Sequence, residues 1–279
     1  MTPPPVWRFG GRTLELDRPR ILGILNVTPD SFSDGGRFLD AGDALRHAER
    51  MAAEGADLLD VGGESSRPGS EPVPAAEELR RILPVIRGAV DLGLPISVDT
   101  TKAEVARAAL EAGATVVNDI SALADPAMAR VVAEAGAGVI LMHMQGEPAT
   151  MQADPRYNDV VGEVTGFLAG RRESARAAGI PAEAIVLDPG IGFGKRLEHN
   201  LALLAGLGAL VELGSPVLIG ASRKRFIGEL TGDSDPEARE AGSLAVVLAA
   251  RERGASLFRV HDVAATRRAL EVYEAVRTV

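Results

Sequence analysis

The feature that most constrains this chain is a repeat. Short β-branched apolar runs alternate with longer Ala-, Glu- and Arg-rich stretches of helical period. Eight runs are predicted as strands: residues 21–26, 58–62, 95–99, 115–119, 138–143, 184–188, 216–221 and 256–260. They recur about every 34 residues, the length of one strand–helix unit. Most are apolar throughout, as parallel strands buried on both faces must be. Gly-Ala precedes four of them, at Gly55, Gly113, Gly136 and Gly254. A glycine just past a helix end takes the left-handed conformation, so these helix-to-strand turns are short. Two strand-to-helix connections are long, at 27–40 and 63–74, and long loops in compact domains tend to be functional. Eight units with short turns at one end and long loops at the other describe an α/β fold, a (β/α)8 TIM barrel.

A doubly wound open sheet is the rival architecture, but no G-x-G-x-x-G occurs to open one. The stretch from Gly190 to Lys195 imitates a P-loop only superficially, because Pro189 and Arg196 stand where such a motif needs Gly and Ser or Thr. Before the first barrel strand, residues 6–16 carry Gly10-Gly11 between apolar residues. That pattern predicts a β-hairpin plugging the bottom of the barrel. Residues 1–279 are read as one unit, with 1–20 as tail and hairpin.

Composition narrows the function. The 279 residues carry a net charge of −9, which argues against broad binding to nucleic acid or to an anionic membrane. With no Cys, disulfides, zinc–thiolate sites, iron–sulfur clusters and thiol nucleophiles are excluded together. No apolar run reaches the length of a membrane span. The N-terminal Met-Thr-Pro-Pro-Pro lacks the basic and apolar regions of a signal peptide, so the expected setting is cytoplasmic.

In such a barrel the chemistry lies at the C-terminal ends of the strands. Those ends carry Asn26, Asp99 with Lys102 nearby, Asn118-Asp119, His143, Asp188, Lys224, and Arg259 with His261. Any one of them could be a helix cap, and Asp119, Asp262 and Thr101 are read that way. His47 and His199 are expected on helix surfaces, and the Arg171-Arg172 and Arg267-Arg268 pairs on solvated helix faces. Together, however, the strand-end groups would be costly to bury without a ligand. Carboxylates with an Asn and a Lys suit a flat heterocycle with donors and acceptors. Asn26, Arg259 and His261 suit an anionic leaving group such as diphosphate, with a divalent cation on oxygen ligands.

Eight motifs at those ends resemble the signatures of dihydropteroate synthases. They are Ile24-Leu-Asn-Val-Thr-Pro-Asp-Ser-Phe-Ser-Asp-Gly-Gly36, Asp60-Val-Gly-Gly-Glu-Ser-Ser-Arg-Pro-Gly69, Ser97-Val-Asp-Thr-Thr-Lys102 and Val117-Asn-Asp-Ile120 in the first half. Met142-His-Met-Gln-Gly146, Asp188-Pro-Gly-Ile-Gly-Phe-Gly-Lys195, Gly220-Ala-Ser-Arg-Lys-Arg225 and Arg259-Val-His-Asp-Val263 follow in order. Ser66 and Gly242-Ser243 depart mildly from the family pattern, which has Thr at both hydroxyl positions.

The resemblance implies condensation of 6-hydroxymethyl-7,8-dihydropterin diphosphate with 4-aminobenzoate in folate biosynthesis. It puts Asp99, Asn118, Asp188, Lys224 and Arg259 on the pterin. Asn26, Arg259 and His261 fall on the diphosphate, with Asn26 also near Mg²⁺. Phe32, Ser66, Arg67, Pro68, Phe193, Ser222 and Lys224 fall around the aminobenzoate. Asp99, Lys224, Arg259 and His261 are the residues it implies in the chemistry, and a homodimer is the implied assembly. Two rivals are a pterin-binding methyltransferase, which needs no diphosphate subsite, and a silent paralogue or scaffold, which should have lost a loop motif or a diphosphate ligand.

Overall fold

A computed structural model of the chain describes residues 6–28, 41–66 and 69–278. β1 (Val6–Phe9) and β2 (Arg12–Glu15) pair antiparallel across Gly10-Gly11. Both glycines have positive φ, 53° and 73°, as a two-residue hairpin turn requires. Eight parallel strands follow: β3 (Arg20–Asn26), β4 (Leu58–Gly62), β5 (Ile96–Asp99), β6 (Val116–Asp119), β7 (Gly138–Met142), β8 (Ile185–Asp188), β9 (Leu218–Ile219) and β10 (Leu257–Val260). They pair in the order β8-β7-β6-β5-β4-β3-β10-β9. An isolated bridge between Leu187 and Val217 brings the two ends of this order together, so the barrel is nearly closed. β9 is shorter than the predicted 216–221, because Pro216 has no N–H to give and only its carbonyl joins, accepting from Leu187 N at 3.0 Å.

Helices α1 (Ala41–Ala53), α2 (Ala75–Ala89), α3 (Ala103–Glu111), α4 (Pro126–Ala135), α5 (Val160–Ala177), α6 (Leu197–Ala205), α7 (Gly208–Val211), α8 (Arg225–Thr231), α9 (Glu240–Glu252) and α10 (Val263–Arg277) surround the ring. Asp125 caps α4 and Asp159 caps α5 through their side chains. Gly55, Gly113, Gly136 and Gly254 all have positive φ and turn the chain at once into the next strand, which keeps the bottom of the barrel tight.

Strand side chains alternate between two cores. One set faces the helices. The other fills the lower barrel: Leu22, Leu58, Val116, Ile140, Val186, Leu218 and Leu257 pack with Trp7 and Phe9 of the hairpin. Trp7 is fully buried, and its indole N–H donates to Ala184 O at 3.0 Å, just before β8. Gly138 opens β7 where a Cβ would come within 2.8 Å of Phe9 Cβ. The hairpin therefore plugs the bottom, and polar chemistry is confined to the top.

Three arginines expected on solvated faces are half-buried instead. Arg171 donates to the carbonyls of Ala122 and Leu123, Arg172 to Leu213 O, and Arg267 to Gly55 O and Asp57. They satisfy loop and helix-end carbonyls that have no intrahelical partner. Arg268 is exposed, and His47 and His199 are half-buried. Among the described residues no helix is long and apolar enough to cross a membrane.

Candidate active site

Three inward positions of neighbouring strands build the centre of the mouth. Asp99 ends β5, Asn118 lies beside it on β6, and Asp60 sits one inward step below Gly62 on β4. Arg259 of β10 reaches across the barrel and ties them. Its Nε donates to Asp60 Oδ2 at 2.5 Å and its Nη2 to Asp99 Oδ2 at 2.8 Å. Asn118 Nδ2 donates to the same Asp60 oxygen at 3.0 Å. Asp60 is fully buried, and its second oxygen has no partner among the described residues. Burial pushes the Asp99 carboxyl above its usual range; Arg259 pulls it back, and the Asp60 and Glu78 carboxylates add to the rise.

The second wall is the loop after β8. Asp188 is buried and accepts the N–H of Gly190 at 2.7 Å. This loop lies hard against its neighbours: a Cβ on Gly190 would stand 1.9 Å from His143 O, and one on Gly192 2.7 Å from Lys224 Cδ. Only glycine fits at either position, and both have positive φ. Lys224 donates to Ile191 O and holds its ammonium 3.9 Å over the Phe193 ring, a cation–π contact. Burial lowers the Lys224 amine to about 7, against the pull of Asp188. Burial likewise raises the Asp188 carboxyl, against the Gly190 N–H and Lys224. Gly220 lies where the two walls adjoin: a Cβ there would make ordinary van der Waals contact with Arg259 Cβ, at 3.7 Å, and with Asp188 Oδ2, at 3.8 Å.

Ser222 and His261 form a third group. Ser222 Oγ accepts the backbone N–H of His261 at 3.2 Å and lies 3.0 Å from its Nδ1. Between Ser222 and Lys224, Arg223 is left-handed, with φ 60°. A bidentate pair with Asp262 holds it there, at 2.5 and 3.1 Å, while its N–H donates to Ser243 Oγ at 2.9 Å. Strain of this kind persists only where surroundings over-determine it. Here it turns Ser222 toward His261 and Lys224 toward Phe193. Asp262 thus stands at the N-cap position of α10, but its side chain makes no capping bond and serves Arg223 instead.

The structure joins Asp99, Asn118 and Arg259 through Asp60, sets Lys224 on Phe193 with Asp188 and Arg259 nearby, and pairs Ser222 with His261, all at the C-terminal ends of the strands. Asn26 ends β3 opposite Gly62. Among the described residues no hydrogen bond joins it to Arg259 or His261. Ser66 is half-buried in the 63–74 connection, while Phe32, Arg67 and Pro68 lie outside the described residues. Asp119 serves its own loop, accepting from Ser121 and Leu123. Thr100 and not Thr101 receives the Lys102 N–H.

Two buried features were given no ligand or role from the sequence. Asp60 is one, although its two-residue spacing from Leu58 and Gly62 on an inward face was the available signal. The other is the pair His143 and Lys195. Lys195 Nζ contacts His143 Nδ1, His143 O and Phe193 O at 3.0, 3.2 and 2.9 Å. It ties the Phe193 loop to the end of β7. Burial, with Lys195 alongside, lowers His143 to about 3, so its ring stays neutral.

The arrangement can grip a flat polar ring between carboxylates and a lysine, and can stabilise negative charge near Arg259 and His261. Comparison with known proteins agrees. The family described as pterin binding enzyme matches residues 22–261. Dihydropteroate synthase of Neisseria meningitidis serogroup C is 49% identical over 275 residues, covering 97% of each chain. Two structures of dihydropteroate synthase from Xanthomonas albilineans superpose closely. One, with 4-aminobenzoic acid, has a TM-score of 0.94 at 54% identity and covers 99% of both chains. The other, with 7,8-dihydropteroate, has a TM-score of 0.90 at 52% identity and covers 99% of this chain and 100% of that one. With the fold, the motifs and these likenesses in agreement, the chain belongs to the pterin-binding enzymes, as a member of the dihydropteroate synthases.

Proposed function

We propose that the mouth of this barrel condenses 6-hydroxymethyl-7,8-dihydropterin diphosphate with 4-aminobenzoate by a dissociative route. The observation that supports the reading is the clustering of Asp99, Asn118, Asp188, Lys224 and Arg259 at the C-terminal strand ends, where Arg259 ties Asp60 to Asp99 and Lys224 feels Asp188, Arg259 and Asp99. Asp188 accepts the paired N–H bonds of the pterin's guanidine-like edge, and Asn118 supplies a donor and an acceptor. Lys224 donates to the ring and packs on Phe193, whose face also borders the aminobenzoate, with Ser222 alongside. Phe32, Ser66, Arg67 and Pro68 complete that subsite.

The bond between the exocyclic CH₂ and the diphosphate oxygen breaks first, and its electron pair leaves with the diphosphate. Arg259 and His261 stabilise that developing charge, and Asp99 stabilises the cation delocalised over the dihydropterin. The amine nitrogen then attacks the CH₂ and gives up a proton to the released diphosphate or to water, giving 7,8-dihydropteroate. No covalent nucleophile is required.

Magnesium fits the donor set. Among the described residues no group of three or more His, Cys, Asp or Glu side chains could hold a metal. The amide oxygen of Asn26 would instead supply a single hard ligand at the mouth. That suits a cation which brings diphosphate and water oxygens as its other ligands. Mg²⁺ held there would neutralise charge on the leaving diphosphate. The test is diphosphate release by the purified protein with both substrates and Mg²⁺. Turnover that stops in EDTA and returns with Mg²⁺ is expected, whereas absence of turnover with both substrates present overturns the reading.

A further inference from the structure

Glu64 stands at the entry of the 63–74 connection, directly before Ser65 and Ser66. Its Oε1 accepts the backbone N–H of Val73 at 3.1 Å, so one side chain joins both stems of the connection. Its other oxygen accepts from Lys102 Nζ. Lys102 also donates to Glu78 at 2.6 Å. Glu78 lies on α2 and is fully buried, and its second oxygen has no partner among the described residues. Lys102 itself immediately precedes α3, three residues beyond Asp99, and its backbone is fixed by Thr100 Oγ1. The stem is tied once more by Arg81 of α2, which donates to Gly63 O at 2.8 Å.

The mechanism uses none of these groups, yet the arrangement is expensive. Two carboxylates share one ammonium, and one of them would be an uncompensated buried charge without it. Such a cluster is not needed to close the barrel. It does relate the end of β5, which bears Asp99, to the start of the segment that bears Ser66.

We infer that Lys102 is a positioning residue for the amine substrate: with Glu64 and Glu78 it fixes the neck of the 63–74 connection, and so places Ser66 relative to Asp99. This rests on the reading of the mouth as a pterin and 4-aminobenzoate site. Lys102 touches neither substrate in that reading. Loosening the neck should weaken 4-aminobenzoate and spare the pterin.

The experiment compares wild type, Lys102→Met and Glu64→Gln. Glu64→Gln leaves the Lys102–Glu78 pair in place and removes the charge at the neck, together with one of the two bonds that the carboxylate accepts, so it carries the test if Lys102→Met does not fold. Steady-state diphosphate release gives KM for 4-aminobenzoate, and calorimetry gives Kd for pterin diphosphate. The expected result is a KM raised at least tenfold with the pterin Kd within twofold of wild type. An unchanged KM, or a pterin Kd that rises in step with it, overturns the inference. Absence of turnover in the wild type would instead overturn the reading of the site itself.

Discussion

Asp60→Asn perturbs the centre of the mouth with the least change of shape. The carboxylate is fully buried and its Oδ2 takes both Arg259 Nε, at 2.5 Å, and Asn118 Nδ2, at 3.0 Å. An amide oxygen can still accept from Asn118, so that bond survives. The charge opposite Arg259 does not. A hydrogen bond to a charged group is worth about 1.5–3 kcal/mol, and breaking a buried pair outright costs about 3–5. Arg259 keeps Asp99 at 2.8 Å, which places the expected loss in the lower range, about 1.5–3 kcal/mol of unfolding free energy. Urea unfolding at neutral pH measures it. A second readout has a fixed sign. Burial first, and then the Asp60 carboxylate after the opposing pull of Arg259, set the height of the Asp99 carboxyl. Removing the Asp60 charge lowers it, so the acid limb of pterin binding should move to lower pH. A stability change under about 0.5 kcal/mol, the usual scatter of surface substitutions, together with an unmoved acid limb, would refute the shared-arginine account.

The hairpin plug gives a stability prediction: Trp7→Ala should cost about 3–5 kcal/mol in chemical unfolding, through lost burial and the lost bond to Ala184 O. His143 gives a pH prediction. Its ring is lowered to about 3, chiefly by burial and then by Lys195. The unfolded chain therefore binds a proton near pH 6.5 that the folded chain refuses. Stability should fall as pH drops from about 6.5 toward 3, by up to about 1.4 kcal/mol per pH unit from this group. His143→Asn, which keeps an acceptor for Lys195, should remove that contribution to the slope in acid titrations of stability.

Much of the architecture was legible in the sequence because period and punctuation agree. Buried parallel strands read as apolar runs, and Gly-Ala marks four bottom turns with one backbone requirement. Several strand-end polar residues, Asn26, Asp99 and Asp188 among them, were legible for a related reason, since each ends an apolar run. Asp60 escaped because it lies inside a run and not at its end; only inward alternation with Leu58 and Gly62 betrays it. The roles of Lys102 and Arg223 were hidden more deeply. Their partners, Glu78 and Asp262, lie 24 and 39 residues away, and no local pattern links residues at that separation. Arg171, Arg172 and Arg267 were misread for a similar reason: a charged residue on a helix looks solvated until the carbonyls it reaches are known.

The central claim is a division of labour, with Asp188 recognising the pterin and His261 acting on the leaving group. Calorimetric titration of Asp188→Ala and His261→Ala with bare 6-hydroxymethyl-7,8-dihydropterin and with its diphosphate tests it most directly. The account predicts that Asp188→Ala loses at least tenfold in affinity for both ligands, as the loss of a charged hydrogen bond implies. His261→Ala should hold the bare pterin as wild type does and lose only the added affinity of the diphosphate. Equal loss of bare-pterin affinity in both variants, or none in Asp188→Ala, would contradict it.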